Sequence, residues 1–392
     1  MSKALKKSII MAFNVLMIAI VAMSCGCIGD STESTNDIKS NEGNNNLDPK
    51  GLDADKNTEF ITVTDMAGRT VQVPKNVNRV IGLGCCLREI VYLDAVDKVV
   101  GVEVAEGNKD SAMALPYVAA NPELTDLPVV GKAGSGYYYE KIIAANPDMI
   151  FLGYQADLAD EIQKKIGVPV VVVFMDTTGS EDQNEKYSES LRVMGKVLGK
   201  EERADAVVNK LEECKLDLRT RASKSDKRPS IYIGGRVYSG GHGITTTDPH
   251  WMPFEFLGAN NRANNVAYNI SKKGKVYSVS DEQLVTWNPD YLFINSASMD
   301  LILKDLEKPE FGNLDAVKNG NTYRLIPYCW YGFNKASGIA DSYYIGKVLY
   351  PEQFEDIDPV EKADELYTFF TGKPAYERLS DRNLGFEKLE DL

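Results

Sequence analysis

A helix, an Asn-Pro-Asp stop and an apolar strand occur twice in this chain, and this repeat narrows its architecture most. The first copy, YEKIIAANPDMIFL, spans Tyr139 to Leu152, and the second, SDEQLVTWNPDYLFI, spans Ser280 to Ile294. In each, proline bars the residue before it from helical geometry and so ends the helix. The apolar run that follows is typical of a parallel-type strand covered on both faces. Between the copies lies Glu201–Ser223, where Ala204, Val207, Val208, Leu211, Cys214 and Leu218 recur at steps of three and four. That spacing sets them on one helical face, opposite Glu202, Arg203, Asp205, Lys210, Glu213, Asp217 and Arg219. At 1.5 Å per residue the helix is roughly 30 Å long, the width of a small domain. Taken alone, the stretch reads equally as an ordinary amphipathic helix inside one domain. The repeat on either side predicts two similar α/β lobes joined by it.

A length of 392 residues is enough for two cored lobes. A content of 43% hydrophobic and 26% charged residues is that of a globular protein. The formal net charge of −13 repels phosphate backbones, so no nucleic-acid partner is expected. Lys3, Lys6 and Lys7 precede the apolar stretch Ile9–Met23, which has signal-peptide length and is short for a spanning helix. It ends in AMSCGCIG, which resembles a lipobox. Residues 1–26 are therefore expected to be a lipoprotein-type signal peptide and Cys27 the lipidated residue. Cys25 and an uncleaved anchor helix remain as alternatives. Either reading places the rest outside the cytoplasmic membrane. Residues 27–58, rich in Asn, Asp, Ser, Thr and Gly, cannot bury a core and read as a tether.

The folded part opens with ITVTDMAGRTVQVP from Ile61 to Pro74, which alternates like a hairpin. Short apolar strands follow at Arg79–Gly84 and Val99–Val102, with a helix from about Leu87 to Leu93 between them. The succession D-x-x-G-R-x-V-x-V-P, R-V-I, E-I-V-Y-L and K-V-V-G-V resembles the opening of the iron-siderophore and cobalamin group of ABC-importer substrate-binding proteins (class III, helical backbone). The two helix–NPD–strand blocks are similar to that group's signature. The resemblance covers roughly Ile61 to Gly372. It implies two Rossmann-like lobes with parallel-rich sheets joined by a single long inter-lobe helix. The boundaries are a first lobe at 59–200, the helix at 201–223, a second lobe at 224–372 and a charged tail at 373–392. One continuous helix is a stiff link, so lobe closure should be limited.

The implied function is capture of a metal chelate, foremost a ferric siderophore, in the cleft between the lobes and delivery to an ABC permease and its ATPase. Cobalamin, haem or an oxyanion is the alternative ligand. The protein is expected to be a lipid-anchored monomer at the cell surface or in the periplasm, without a cofactor of its own. No catalytic constellation is present. GGRVYSGGHG at 234–243 matches neither a phosphate loop nor a dinucleotide fingerprint, and HExxH and GxSxG are absent. An extracellular enzyme or an adhesion module is the competing class. With only His242 and His250 and no CxxC pair, a structural zinc is not expected.

Ligand clefts combine aromatic surface with a few placed polar groups, at loops following strands. The candidates are Tyr137, Tyr138 and Tyr154 from the first lobe, and Arg236, Tyr238, His242, Trp251, Trp330 and Tyr331 from the second. Each aromatic taken singly reads more readily as core packing. Arginine would pair with an anionic chelate, and a tyrosine oxygen is a candidate ligand for ferric iron. The resemblance assigns permease docking to Glu140 and Glu255, one anionic point per lobe, while Glu89 reads as capping or structural. Cys85, Cys86, Cys214 and Cys329 leave a bridge from one of the adjacent pair to Cys329 open.

Overall fold

The computed structural model describes residues 59–390 other than 154, 177, 178, 238, 239, 268, 272 and 273. The leader, Cys25, Cys27 and the tether lie outside the described residues, as do Tyr154 and Tyr238. Strands β1 (Phe60–Thr64) and β2 (Thr70–Pro74) pair as the antiparallel hairpin their alternation predicts. The first lobe continues with β3 (Val80–Leu83), α1 (Leu87–Tyr92), β4 (Val99–Glu103), α2 (Val104–Gly107) and α3 (Pro116–Ala120). It is completed by β5 (Val129–Lys132), β6 (Gly136–Tyr137), α4 (Tyr139–Ala144), β7 (Met149–Leu152), α5 (Ala159–Ile166) and β8 (Val170–Val172). Its sheet has the order β6-β5-β4-β3-β7-β8, parallel throughout except at β6.

Helices α6 (Glu181–Leu198) and α7 (Glu201–Ser223) lead out of that lobe. The second lobe runs through β9 (Ser230–Gly234), α8 (Met252–Leu257), β10 (Asn260–Asn261), the hairpin β11 (Asn269–Ser271) and β12 (Gly274–Val276), α9 (Asp281–Trp287) and β13 (Tyr291–Asn295). It continues through α10 (Met299–Leu306), β14 (Thr322–Leu325), α11 (Lys335–Leu349), α12 (Pro359–Thr371), α13 (Tyr376–Ser380) and β15 (Glu387–Lys388). Its sheet has the order β10-β9-β13-β14-β15 and is parallel except at β15. The charged stretch after residue 373 is thus part of the fold: it supplies α13 and the edge strand.

The repeated Asn-Pro-Asp does the same job in both lobes. Asn146 and Asn288 take left-handed backbone angles, φ 45° and 39°, and turn the chain out of α4 and α9. Asp148 then accepts the backbone N–H groups of Asn78 and Arg79 at 2.7 and 2.9 Å, just before β3. Asp290 accepts the N–H and hydroxyl of Ser230, where β9 begins, at 2.7 and 2.8 Å. Each aspartate ties a helix-to-strand corner to the first residues of the neighbouring parallel strand. Donors there would otherwise lack a ladder partner.

Helix α7 has the bounds its periodicity predicts, and all six residues of its apolar face are buried. Burying one such Val or Leu contributes about 1.5–3 kcal/mol. The helix packs on α6 of the first lobe and on α8 and α11 of the second. A second connection runs the other way: α12 returns to lie on α1 and α3, with the Tyr92 and Phe370 rings 5.0 Å apart. One apolar core therefore extends through both lobes. Two smaller clusters fill the outer faces of the sheets.

Candidate functional site

In open parallel sheets, loops after the strand C-termini hold the ligand. Here those ends from the two lobes meet in a seam. On the first-lobe side, β3 runs into Gly84, Cys85 and Cys86, and then into Arg88 and Glu89 on α1; β4 ends on Glu103. On the second-lobe side, β9 runs into Gly235 and Arg236, and β14 into the loop that carries Cys329, Tyr331 and Asn334 and leads to Lys335 at the start of α11.

Several hydrogen bonds cross the seam. Arg88 donates to the carbonyl of Tyr331 at 2.6 Å and to Oδ1 of Asn334 at 3.0 Å. The Tyr331 hydroxyl donates to Oε2 of Glu103 at 2.7 Å. Lys335 donates to the backbone carbonyl of Asp176, in the segment after β8, at 2.7 Å. Gly332 lets the loop come this near. Its φ is +80°, and a Cβ there would sit 3.1 Å from Arg88 Nη2 and 3.3 Å from Cys85 Cβ. Gly179 serves a second contact, where a Cβ would meet the carbonyl oxygen of His250 at 1.8 Å.

The seam is rich in buried charge. Arg88, Glu89, Glu103, Glu106 and Lys335 are fully shielded from solvent. Arg88 lies 3.5 Å from Glu89, which also accepts from Tyr187 at 3.2 Å. Glu106 accepts from Tyr117 at 2.8 Å and from the Glu103 backbone N–H at 3.0 Å. Burial raises the carboxyls of Glu89 and Glu103, and burial together with the Glu103 charge lifts that of Glu106 to about 8. Burial lowers the Lys335 ammonium to about 7, opposed by Glu89. Arg236 pairs with Asp248 at 2.7 Å, and its guanidinium lies over the rings of Tyr277 and Phe333 at 5.5 and 5.7 Å. Asp176 acts electrostatically on both Arg236 and Lys335, and Arg88 acts on Lys335, so the three cations belong to one cluster.

Of the residues chosen from sequence, Arg236 and Tyr331 lie in this cluster. Tyr137 is buried on the first-lobe side, where it feels the charge of Glu103 and donates to Gln155 at 3.0 Å. Trp330 is half-buried in the seam loop, and its carbonyl accepts from Asn334 at 2.9 Å. His242 is half-buried, its backbone N–H bonded to Ser298 at 3.1 Å. Trp251 is 1% exposed and packs edge-on against Tyr328 at 4.9 Å, in the core beneath α8. Tyr138 is 41% exposed beside Lys141 on the surface of the first lobe. Glu140 is exposed near the start of α4. Glu255 is half-buried, with Nδ1 of His250 3.5 Å from its carboxylate, and burial raises its pKa.

Arg88, Glu103, Glu106 and Lys335 escape a motif search. The available signal is charge set inside apolar runs, as in LREIVYL and KVVGVE. Glu89, read as capping or structural, is a buried member of the seam. All four described cysteines are free, so neither Cys85 nor Cys86 is bridged to Cys329. Among the described residues no group of three or more His, Cys, Asp or Glu is placed to hold a metal ion. No helix among them is long and apolar enough to cross a membrane.

The profile of the periplasmic binding protein family matches residues 86–328, which include both NPD units and, from the seam, Arg88, Glu89, Glu103, Glu106 and Arg236. The chain belongs to that family. It is 25% identical over 340 residues to the molybdate-binding protein MolA of Haemophilus influenzae, covering 79% of this chain and 90% of that one. It is 26% identical over 301 residues to the iron(3+)-hydroxamate-binding protein FhuD of Bacillus subtilis, covering 73% and 86%. The solved structure of MolA bound to molybdate has a similar fold, with a TM-score of 0.64 at 23% identity over 80% of this chain and 98% of that one. The protein is thus a solute-binding component of an ABC importer, not an enzyme, and its two α/β lobes with parallel-rich sheets are those of that fold.

Proposed function

We propose that the solute is a compact anion of the size and charge of molybdate, held between Arg88 of the first lobe and Arg236 and Lys335 of the second. The observation that carries this reading is the cluster of three buried cations drawn from both sides of one seam. An arginine fork suits an oxyanion, because it offers parallel donors to two oxygens. Cross-seam bonds of 2.6–3.0 Å hold Arg88 and Lys335 against the opposite lobe, a small movement away from enclosing an anion a few ångströms wide. The similarity to MolA supports the same choice. A ferric hydroxamate chelate is the second reading, supported by the similarity to FhuD. It requires wider parting of the lobes, and Trp251, one aromatic chosen to face it, is in the core. Thermal-shift and calorimetric titrations against molybdate, tungstate, a ferric hydroxamate, cobalamin and haem separate the readings. Stabilisation by molybdate or tungstate is expected, and a response confined to the ferric chelate overturns the oxyanion reading.

Delivery needs one anionic contact on each lobe to register a two-fold permease. Glu140 is one. Aligning the two NPD units places Glu282 on Glu140 and Val285 on Ile143. Glu140 and Glu282 are exposed, as are Ile143 (51%) and Val285 (40%). This internal correspondence favours Glu282 over Glu255, whose carboxylate faces His250. Lipidation at Cys27, followed by the tether, would hold the protein outside the cytoplasmic membrane beside that permease. Cys27→Ser should release it from membranes into the soluble fraction, and unchanged membrane retention would count against the anchor.

A further inference from the structure

The buried carboxylates at the seam are more than anion binding requires. Glu103 and Glu106 lie three residues apart at the end of β4, linked through the Glu103 N–H, and both are sealed from water. The second lobe contributes the cover: Tyr331 reaches Glu103 directly, and Arg88 holds the Tyr331 backbone in place. Oε2 of Glu103 also accepts from the Cys85 N–H at 3.0 Å, while its Oε1 has no partner among the described residues. Two adjacent carboxylates cannot both stay ionised in such a place without large cost.

We propose that the Glu103–Glu106 pair is a proton-binding site coupled to the seam. The pair takes up one proton from water as the lobes shut and returns it as they part, so solute capture consumes a proton. No other reactant is involved, since the exchange is between a carboxylate oxygen and solvent.

The surroundings fix the direction. Cys85, Cys86 and Arg88 (itself paired with Glu89) face the pair from the β3–α1 corner, Tyr117 from α3, and Tyr137 from β6. Tyr331 faces it across the seam; Lys335 and Tyr187 act through Glu89. Arg88 favours ionised carboxylates, but Glu89 is its nearer partner, and Cys86 lies on the first-lobe side of the pair. In the shut form Glu106 is lifted to about 8. Once wetted it returns toward the ordinary carboxylate range, about 4.3. The shut form therefore holds more protons, and its advantage falls as pH rises between those values. Lys335 has the opposite sense: with a value of about 7 in the shut form, it begins to lose its charge there above about pH 6. The clean window is about pH 5 to 6.

The test is hydrogen exchange on the solute-free, full-length protein, read in peptides covering 85–106 and 327–335 and corrected for the intrinsic rate at each pH. Protection of these segments should fall with rising pH, by up to roughly tenfold per unit for one linked proton. Glu103→Gln and Glu106→Gln, each checked for folding by circular dichroism, should flatten the profile. A flat profile in the unaltered protein overturns the proposal without recourse to any variant. A slope that survives in a folded Gln variant at each position also overturns it. Because no solute is present, failure here leaves the choice between oxyanion and chelate untouched.

Discussion

The hydroxyl of Tyr331 lies 2.7 Å from the carboxylate of Glu103, although the two residues belong to different lobes and stand 228 positions apart. Gly332, one residue on, is what allows it, since its left-handed backbone lets the loop lie against Arg88 and Cys85. Gly332→Ala should strain that loop by about 1–3 kcal/mol. The expected result is a lower melting temperature and faster hydrogen exchange at 85–106. Gly134, which has a positive φ but open space around it, is the control. Gly134→Ala should cost stability without loosening the seam.

Asp148 and Asp290 make matching corner bonds in the two lobes. Asp148→Ala removes an acceptor from two backbone donors, and Asp290→Ala removes one from a backbone donor and a hydroxyl. Hydrogen bonds to a charged group contribute about 1.5–3 kcal/mol each. A loss of about 2 kcal/mol or more in urea unfolding is expected for each variant, with binding affinity retained once the protein is folded. A variant as stable as the parent would show that the motif serves some other purpose.

Lys335 gives stability a pH dependence of definite sign. Its ammonium is lowered to about 7 in the fold, against an ordinary lysine value of about 10.4. The unfolded chain therefore binds more protons between those values, and this residue's contribution grows as pH rises from 7 toward 10. Each pH unit is worth at most about 1.4 kcal/mol. Tyrosines and thiols with raised pKa values work in the opposite sense, so the informative quantity is a difference. The stability of the parent minus that of Lys335→Met should rise with pH across this range, and a flat difference would remove the residue from the account.

For solute capture, Arg88→Gln and Arg236→Gln should each weaken molybdate binding by about tenfold or more, the range for losing one charge-assisted hydrogen bond. Arg236→Gln also strands Asp248 in a buried site, so its stability should drop more than its surroundings alone would suggest. Asp248→Asn together with Arg236→Gln should recover that stability but not the affinity. Recovery of both would mean that Arg236 serves only to neutralise Asp248.

For delivery, Glu140→Arg with Glu282→Arg should abolish uptake in cells or vesicles while leaving binding unchanged. Glu140→Arg with Glu255→Arg is the comparison. Uptake lost only in the second pair would return the docking role to Glu255.

What local spacing encodes could be read directly from the chain. The apolar face of Glu201–Ser223, the β1–β2 alternation and the paired NPD corners each follow from contacts within a few residues. The seam was legible only in part. Arg236 and Tyr331 were found because they follow strands in aromatic and glycine-bearing loops. Trp251 has the same sequence surroundings, yet its ring is seated against Tyr328, a distinction that depends on tertiary packing. Glu103 and Lys335 look like solvent-facing charges at the ends of elements. They become buried only because a loop from the other lobe closes over them.

Helix α12 completes a surface that belongs to the beginning of the chain. The apolar sides of α1 and α3 wait for residues 359–371, far later in the chain, and only then does Phe370 meet Tyr92. A first lobe emerging alone during synthesis would carry an unfinished core with exposed apolar area, and it would settle slowly because its last contacts are so distant in sequence. The chain cannot finish folding until nearly all of it has been made.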